Sequence, residues 1–205
     1  MTPEIWITLA AANFAAYLAP GQNMALVGAA TARSGLPGGL SAVGGILMAE
    51  FVWTAAALGL TLTAREIDGN VMLALQVSGG TYLVWSGWKV LNSPPSPEMA
   101  VLGASGGCFR NAFMGLWVGL ANPLALVFFV SIFPGLVSAM AGETPLNLLA
   151  FCGTAVLVSS LAALAPYLVV SQVLVRAGQA RRLNALSGGA LLFVGLAAIA
   201  WTAAA

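Results

Sequence analysis

Six apolar stretches, parted by short breaks rich in Gly, Pro, Ser and Asn, set what this chain can become. A bilayer crossing takes about 20 mainly apolar residues. Stretches of that order fall at about 5–30, 38–63, 71–91, 110–135, 146–173 and 186–204. Only 6% of the residues are charged and 60% are hydrophobic. Soluble domains carry about 25% charged residues, so this chain has too little charge to cover a water-facing surface. The expected class is all-α and integral to the membrane, because only helices and closed barrels satisfy their backbone inside lipid.

The breaks carry turn chemistry. "RSGLPGG" (33–39) parts the first two spans and "REIDGN" (65–70) the second from the third. "NSPPSPE" (92–98) opens the longest loop, about 93–108. "FPGL" (133–136) is expected to close the fourth span. In "ETP" (143–145) Thr144 is the expected N-cap and Pro145 the first helical position. The opening "MTPEIWITLA" has an acid and no Lys or Arg, unlike the basic start of a cleaved signal peptide, so the first span is expected to persist.

Six spans put the loops after spans one, three and five on one side. That side holds Arg33, Lys89, Arg110, Arg176, Arg181 and Arg182; the other holds Arg65. Six cations against one follow the positive-inside rule, which places the basic loops in the cytoplasm and both termini outside. Trp6 and Trp201 then fall at the outer interface and Trp88 at the inner one. Five spans with a re-entrant segment is the structural rival. A net charge of +1 gives no field for nucleic acid. The chain has no His, and Cys108 and Cys152 stand far apart, so neither a metal site nor a cofactor is expected.

Three features do not belong in lipid. Glu50, in "GGILMAEFVWTAA", lies close to the bilayer midplane at about 1.5 Å per residue. An ionised acid there costs about 2.5–3.5 kcal/mol, which makes it a candidate proton carrier. The plainer reading is a protonated acid bonding two helices. Gly38, Gly39, Ser41, Ala42, Gly44, Gly45 and Ala49 let another backbone approach closely, which implies that Glu50 faces protein. The second feature is "YLAPGQNMALVG" (17–28), where Pro20 and Gly21 break the first span and Gln22 and Asn23 offer amides. The third is Asn122–Pro123, about twelve residues into the fourth span. Breaks at corresponding places in two three-span halves point to a transport site. The expected architecture is therefore six transmembrane helices as two inverted three-helix repeats, about 1–92 and 109–205, in a single transport domain.

The chain resembles the LysE/RhtB family of bacterial amino-acid exporters. The matching segments are "APGQNMALVGAATARSGLPGGLSAVGGILMAEFVW" (19–53), "VSGGTYLVWSGWKVL" (77–91), "FRNAFMGLWVGLANPLALVFFVSIFPGLV" (109–137) and "RRLNALSGGALLFVGLA" (181–197). The resemblance implies export of amino acids or related metabolites driven by the proton gradient. The family's proline–glycine motif falls on Pro20, Gly21 and Asn23, its second-span acid on Glu50, and its Asn-Pro on Asn122 and Pro123. Gln22 stands where relatives usually carry a second proline, and Glu50 where Asp is commoner. The first change loosens the break and adds an amide; the second lengthens the acid by a methylene.

The function expected on these grounds is an alternating-access exporter in the bacterial inner membrane. Helix ends at the breaks, with Gln22, Asn23 and Asn122, hold a zwitterionic substrate, and Glu50 couples its exit to proton entry. A single acid favours neutral amino acids. Tyr82, Trp85 and Ser86 share a helical face and are secondary cavity candidates, and Asn13 is placed to support the first break. The rival functions are an ion transporter or channel, a membrane-embedded enzyme and a structural protein. The enzyme lacks a nucleophile–base pair, and a structural protein needs neither break nor buried acid. The Gly-rich second span and "LSGGALLFVG" (186–195) suit packing within one protomer or between two, which leaves a homodimer open.

Overall fold

The computed structural model describes residues 2–17, 22–67, 69–92, 107–169, 185, 188–189 and 191–200. Helices account for almost all of them: α1 (Pro3–Tyr17), α2 (Gln22–Ile67), α3 (Gly69–Asn92), α4 (Cys108–Leu120), α5 (Pro123–Ala139), α6 (Pro145–Val169) and α7 (Leu191–Ala200). No strand occurs among the described residues.

The long element α2 is two limbs. Its apolar part, Gln22–Ala64, runs for 43 residues, about twice what one bilayer crossing takes. Gly35 divides it with φ 65° and ψ −170°, a backbone state that side-chain-bearing residues avoid. The chain folds back there, so that Leu26, Val27 and Ala30 of the first limb pack with Ala42, Val43 and Ile46 of the second. Arg33–Gly39 is thus the turn its Gly and Pro content predicts. Pro145–Leu168 is also long and apolar enough to cross a membrane. Cys108–Leu120 and Ala125–Ala139, bent by 58°, make a third such stretch if the pair is one span.

The α6 start follows its sequence signal. Thr144 Oγ1 accepts the Asn147 backbone N–H at 3.2 Å, the N-cap bond, with Pro145 first in the helix. One boundary differs. The "FPGL" segment does not end its helix: α5 runs through Pro134 to Ala139. Proline removes one N–H, but in lipid every other backbone group still finds its cheapest partner inside the helix.

Large apolar side chains face outward as well as inward, unlike those of a soluble protein. Met48, Phe51 and Val52 are exposed on α2 while Glu50, Thr54 and Thr61 are buried. Trp88, Phe109, Trp117 and Phe193 also face outward. Polar groups turn inward because lipid offers them no hydrogen bonds.

Glycine decides how closely the helices pack. A Cβ on Gly45 of α2 would lie 2.0 Å from the Ala112 carbonyl oxygen of α4, and one on Gly115 of α4 would lie 2.2 Å from that of Ala42. The α2–α4 crossing is thus a reciprocal backbone contact. The pairs Gly80–Gly195 and Gly87–Gly188 bring α3 against the C-terminal segment in the same way, each glycine against the other's carbonyl. The larger apolar core gathers Leu9, Leu83, Phe129, Phe133, Leu148 and Val156 from α1, α3, α5 and α6. In sequence along α2, Glu50 and Thr54 fall between the residues of this core and those of the Gly35 turn.

Candidate functional site

The site is built where α1 ends, α2 begins and α6 passes beside them. Tyr17, the last residue of α1, donates its hydroxyl hydrogen to Glu50 Oε1. Asn23, in the first turn of α2, donates from Nδ2 to the Tyr17 hydroxyl at 3.3 Å. One turn earlier in α1, Asn13 Nδ2 donates to Ser159 Oγ and Ser160 Oγ, both at 2.9 Å, and lies 3.4 Å from the Val156 carbonyl. The result is two polar clusters one turn apart on α1, Asn13 tying it to α6 and Tyr17 tying it to Glu50. Glu50 is 1% exposed and Asn13 1%, so lipid and bulk water reach neither. That an acid survives there follows from its partner: a hydrogen-bonded buried carboxyl is far cheaper than a bare one.

The second break joins the site through its carbonyls. A helix end leaves its last carbonyls without intrahelical partners. At the end of α4, the Val118 carbonyl accepts Gln22 Nε2 at 3.3 Å and the Gly119 carbonyl accepts Trp53 Nε1 at 3.2 Å. The Ala121 and Asn122 backbone N–H groups cap the Trp117 and Gly119 carbonyls. Gln22, the first residue of α2, thus caps α4 where it ends at the bend before Pro123. Two of the carbonyls expected to meet a substrate are already hydrogen-bonded.

The remaining sequence candidates distribute as follows. Pro20 and Gly21 lie outside the described residues. Asn122 is half-buried at the bend, and Pro123 opens α5. Ser86 is buried on α3. Trp85 is exposed, its ring 5.4 Å from that of Tyr82, with the Lys89 ammonium 5.0 Å above it. Among the described residues no three His, Cys, Asp or Glu side chains gather as a metal site.

Residues 14–201 match the family model described as LysE type translocator. The chain belongs to this family. Among curated relatives of this LysE type translocator, a threonine efflux protein of Escherichia coli K12 is 30% identical over 149 residues, 68% of this chain and 70% of the relative. A leucine efflux protein of Salmonella choleraesuis is 27% identical over 206 residues, 94% and 92% of the two chains. No solved structure gives a significant match.

Five residues were not singled out by sequence: Tyr17, Trp53, Ser159, Ser160 and Thr54, the last buried four residues after Glu50 on the same helix. Each is an ordinary residue in a membrane helix. Tyr17 sits three residues before Pro20, and Thr54 four after Glu50; those spacings were the available signal. The network also makes a stability prediction. Interhelical hydrogen bonds in membranes average about 0.6 kcal/mol and reach about 1.7. Asn13→Ala should therefore lower stability by about 1–2 kcal/mol, read as a lower thermal midpoint in detergent. An unchanged midpoint would mean that Asn13 does not anchor α1 to α6.

Proposed function

We propose that this LysE type translocator exports amino acids across the bacterial plasma membrane in exchange for protons, by alternating access. One observation carries the reading: Glu50, the buried acid of the described structure, is hydrogen-bonded to Tyr17 beside the first break, with its other oxygen left over. A group that lipid makes costly to ionise, and that protein makes possible to ionise, suits a proton carrier.

In this reading the chain is one transport domain of two inverted halves, about 1–92 and 109–205, joined by the loop at about 93–108. Helix α1 with the first limb of α2 is one broken span; α4 with α5 is the other. The pairing of α4 with α2 and of α1 with α6 supports the symmetry, since each sets the first part of a broken span against the second span of the opposite half. The substrate lies between the halves. Its carboxylate meets the free N–H groups at the start of α5, where the helix dipole favours an anion. Asn23 and Asn122 supply amides beside it, and Gln22 holds the two breaks in register. The basic loops face the cytoplasm and the termini face outward. The cargo is a neutral amino acid, in keeping with relatives named for threonine and leucine.

The test is reconstitution. Proteoliposomes of purified protein, loaded with labelled threonine or leucine, should release it faster when the outside is acidified, and a protonophore should remove the acceleration. Release that ignores the imposed gradient would sink proton coupling.

A further inference from the structure

Three buried oxygen atoms around this network have no hydrogen-bond partner among the described residues: Glu50 Oε2, Asn23 Oδ1 and Thr54 Oγ1. Their side chains are 1%, 7% and 0% exposed. Glu50 and Thr54 are four residues apart on one helix and so share a face. Asn23 and Glu50 are separated by one tyrosine hydroxyl, which bonds the other atom of each.

Thr54 is the telling member. A threonine inside a helix has an easy local solution, the carbonyl four residues back. Thr8, Thr31, Thr61 and Thr81 all take it, at 2.7–2.8 Å. Thr54 does not, although it is wholly buried. Its hydroxyl is kept for something else, on the same face as the free carboxyl oxygen of Glu50.

We infer that Glu50, Asn23 and Thr54 form the receptor for the substrate's primary ammonium group, and that proton and ammonium compete for Glu50 Oε2. The inference rests on the amino-acid export reading above. A primary ammonium has three N–H donors and no acceptor, matching three oxygens, one of them able to carry charge. A charge-assisted bond to the carboxylate is the strongest of the three. Two of the carbonyls at the end of α4, those of Val118 and Gly119, already accept Gln22 and Trp53. When an R–NH3+ group binds, the proton on Oε2 leaves; when the proton returns, the ammonium is released. Each exchange swaps one positive charge for another, so the buried site is never left as a bare anion. The titratable groups on the helices that pack with α2 or bond to it are Glu4 and Tyr17 on α1, Tyr82 and Lys89 on α3, Cys108 and Arg110 on α4, and Cys152 and Tyr167 on α6. Among them Tyr17 is the one hydrogen-bonded to Glu50, on Oε1, leaving Oε2 to the two competing ions.

The test is calorimetric titration of the full chain in nanodiscs with threonine, leucine, n-butylammonium, tetramethylammonium and sodium. The two amino acids and n-butylammonium should bind at about pH 8 and at least about tenfold more weakly at about pH 6. Thr54→Val should weaken all three about tenfold, and Thr54→Ser should restore them. Tetramethylammonium, which has no N–H, should not bind. Amino-acid binding that Thr54→Val leaves unchanged, or that is equal at both pH values, overturns the ammonium site while leaving export intact. So does tetramethylammonium or sodium binding as tightly as n-butylammonium. Pronounced n-butylammonium binding with no amino-acid binding keeps the ammonium site and overturns the cargo assigned above. A wild-type protein that binds none of the three overturns both.

Discussion

Glu50→Gln is expected to remove gradient-driven efflux while leaving a slower, pH-independent exchange of amino acid. The substitution keeps length and shape, and the amide oxygen still accepts the Tyr17 hydroxyl. What it removes is the ability to gain and lose a proton. A group that transfers protons in place contributes about 10²–10⁴-fold to the steps it serves, so driven efflux should fall by about a hundredfold or more. Exchange of labelled for unlabelled substrate needs no net proton movement and should persist at reduced affinity. The measurement is a paired assay on one proteoliposome preparation, counterflow beside pH-jump efflux. Full pH-jump efflux in the variant would remove Glu50 from the coupling step. Thermal midpoints should not fall, since in the substrate-free protein the amide replaces a protonated, equally neutral carboxyl of the same shape.

The second large effect is structural. Gly45→Ala should destabilise the protein by about 2–3 kcal/mol, whereas Gly44→Ala, one residue away, should be neutral or slightly stabilising. The added methyl is the same in both. At Gly45 it would stand 2.0 Å from the Ala112 carbonyl oxygen and 2.7 Å from the Leu116 nitrogen; at Gly44 it meets nothing within 4 Å. The clash is with backbone, which cannot change rotamer, so α4 must move away from α2. That displacement also strains the Gln22 and Trp53 bonds to the end of α4. Gly115→Ala should behave like Gly45→Ala, and the double variant should cost less than the sum, because both open one crossing. Thermal unfolding of the three single variants and the double in detergent decides it. Equal midpoints for Gly44→Ala and Gly45→Ala would mean that the two helices do not pack backbone to backbone.

Much of the fold was legible because membrane helices are written locally. Apolar length gives the spans, and Gly35, Asn122–Pro123 and the Thr144–Pro145 cap each act within a few residues of themselves. The small residues before Glu50 announced a close approach and a buried acid, and Glu50 is buried. Pro134 does not end α5, because proline ends helices reliably only where water is available to take up the freed groups. In lipid the helix is continued.

The candidate site was half legible. Its acid and amides stand out, since an isolated polar residue in an apolar run is expensive and so conspicuous. Its other half is hidden among residues that are unremarkable alone. A threonine usually bonds its own helix, and only the structure reveals that Thr54 does not. Gln22 looked like a substrate contact when read beside Pro20. Its partner, the Val118 carbonyl, is 96 residues away, and Asn13 meets Ser160 across 147.

The sequence by itself determined that this chain is helical and membrane-embedded, where its helices break, and which acid is stranded within them. Each of those follows from short-range chemistry set against lipid. Only the tertiary structure decided which helices touch, that Gln22 at the start of α2 caps the end of α4, and that Tyr17 holds one oxygen of Glu50 and leaves the second unpaired. Those facts depend on how glycine faces let backbones meet: a run of small residues marks a close approach but not which distant segment makes it.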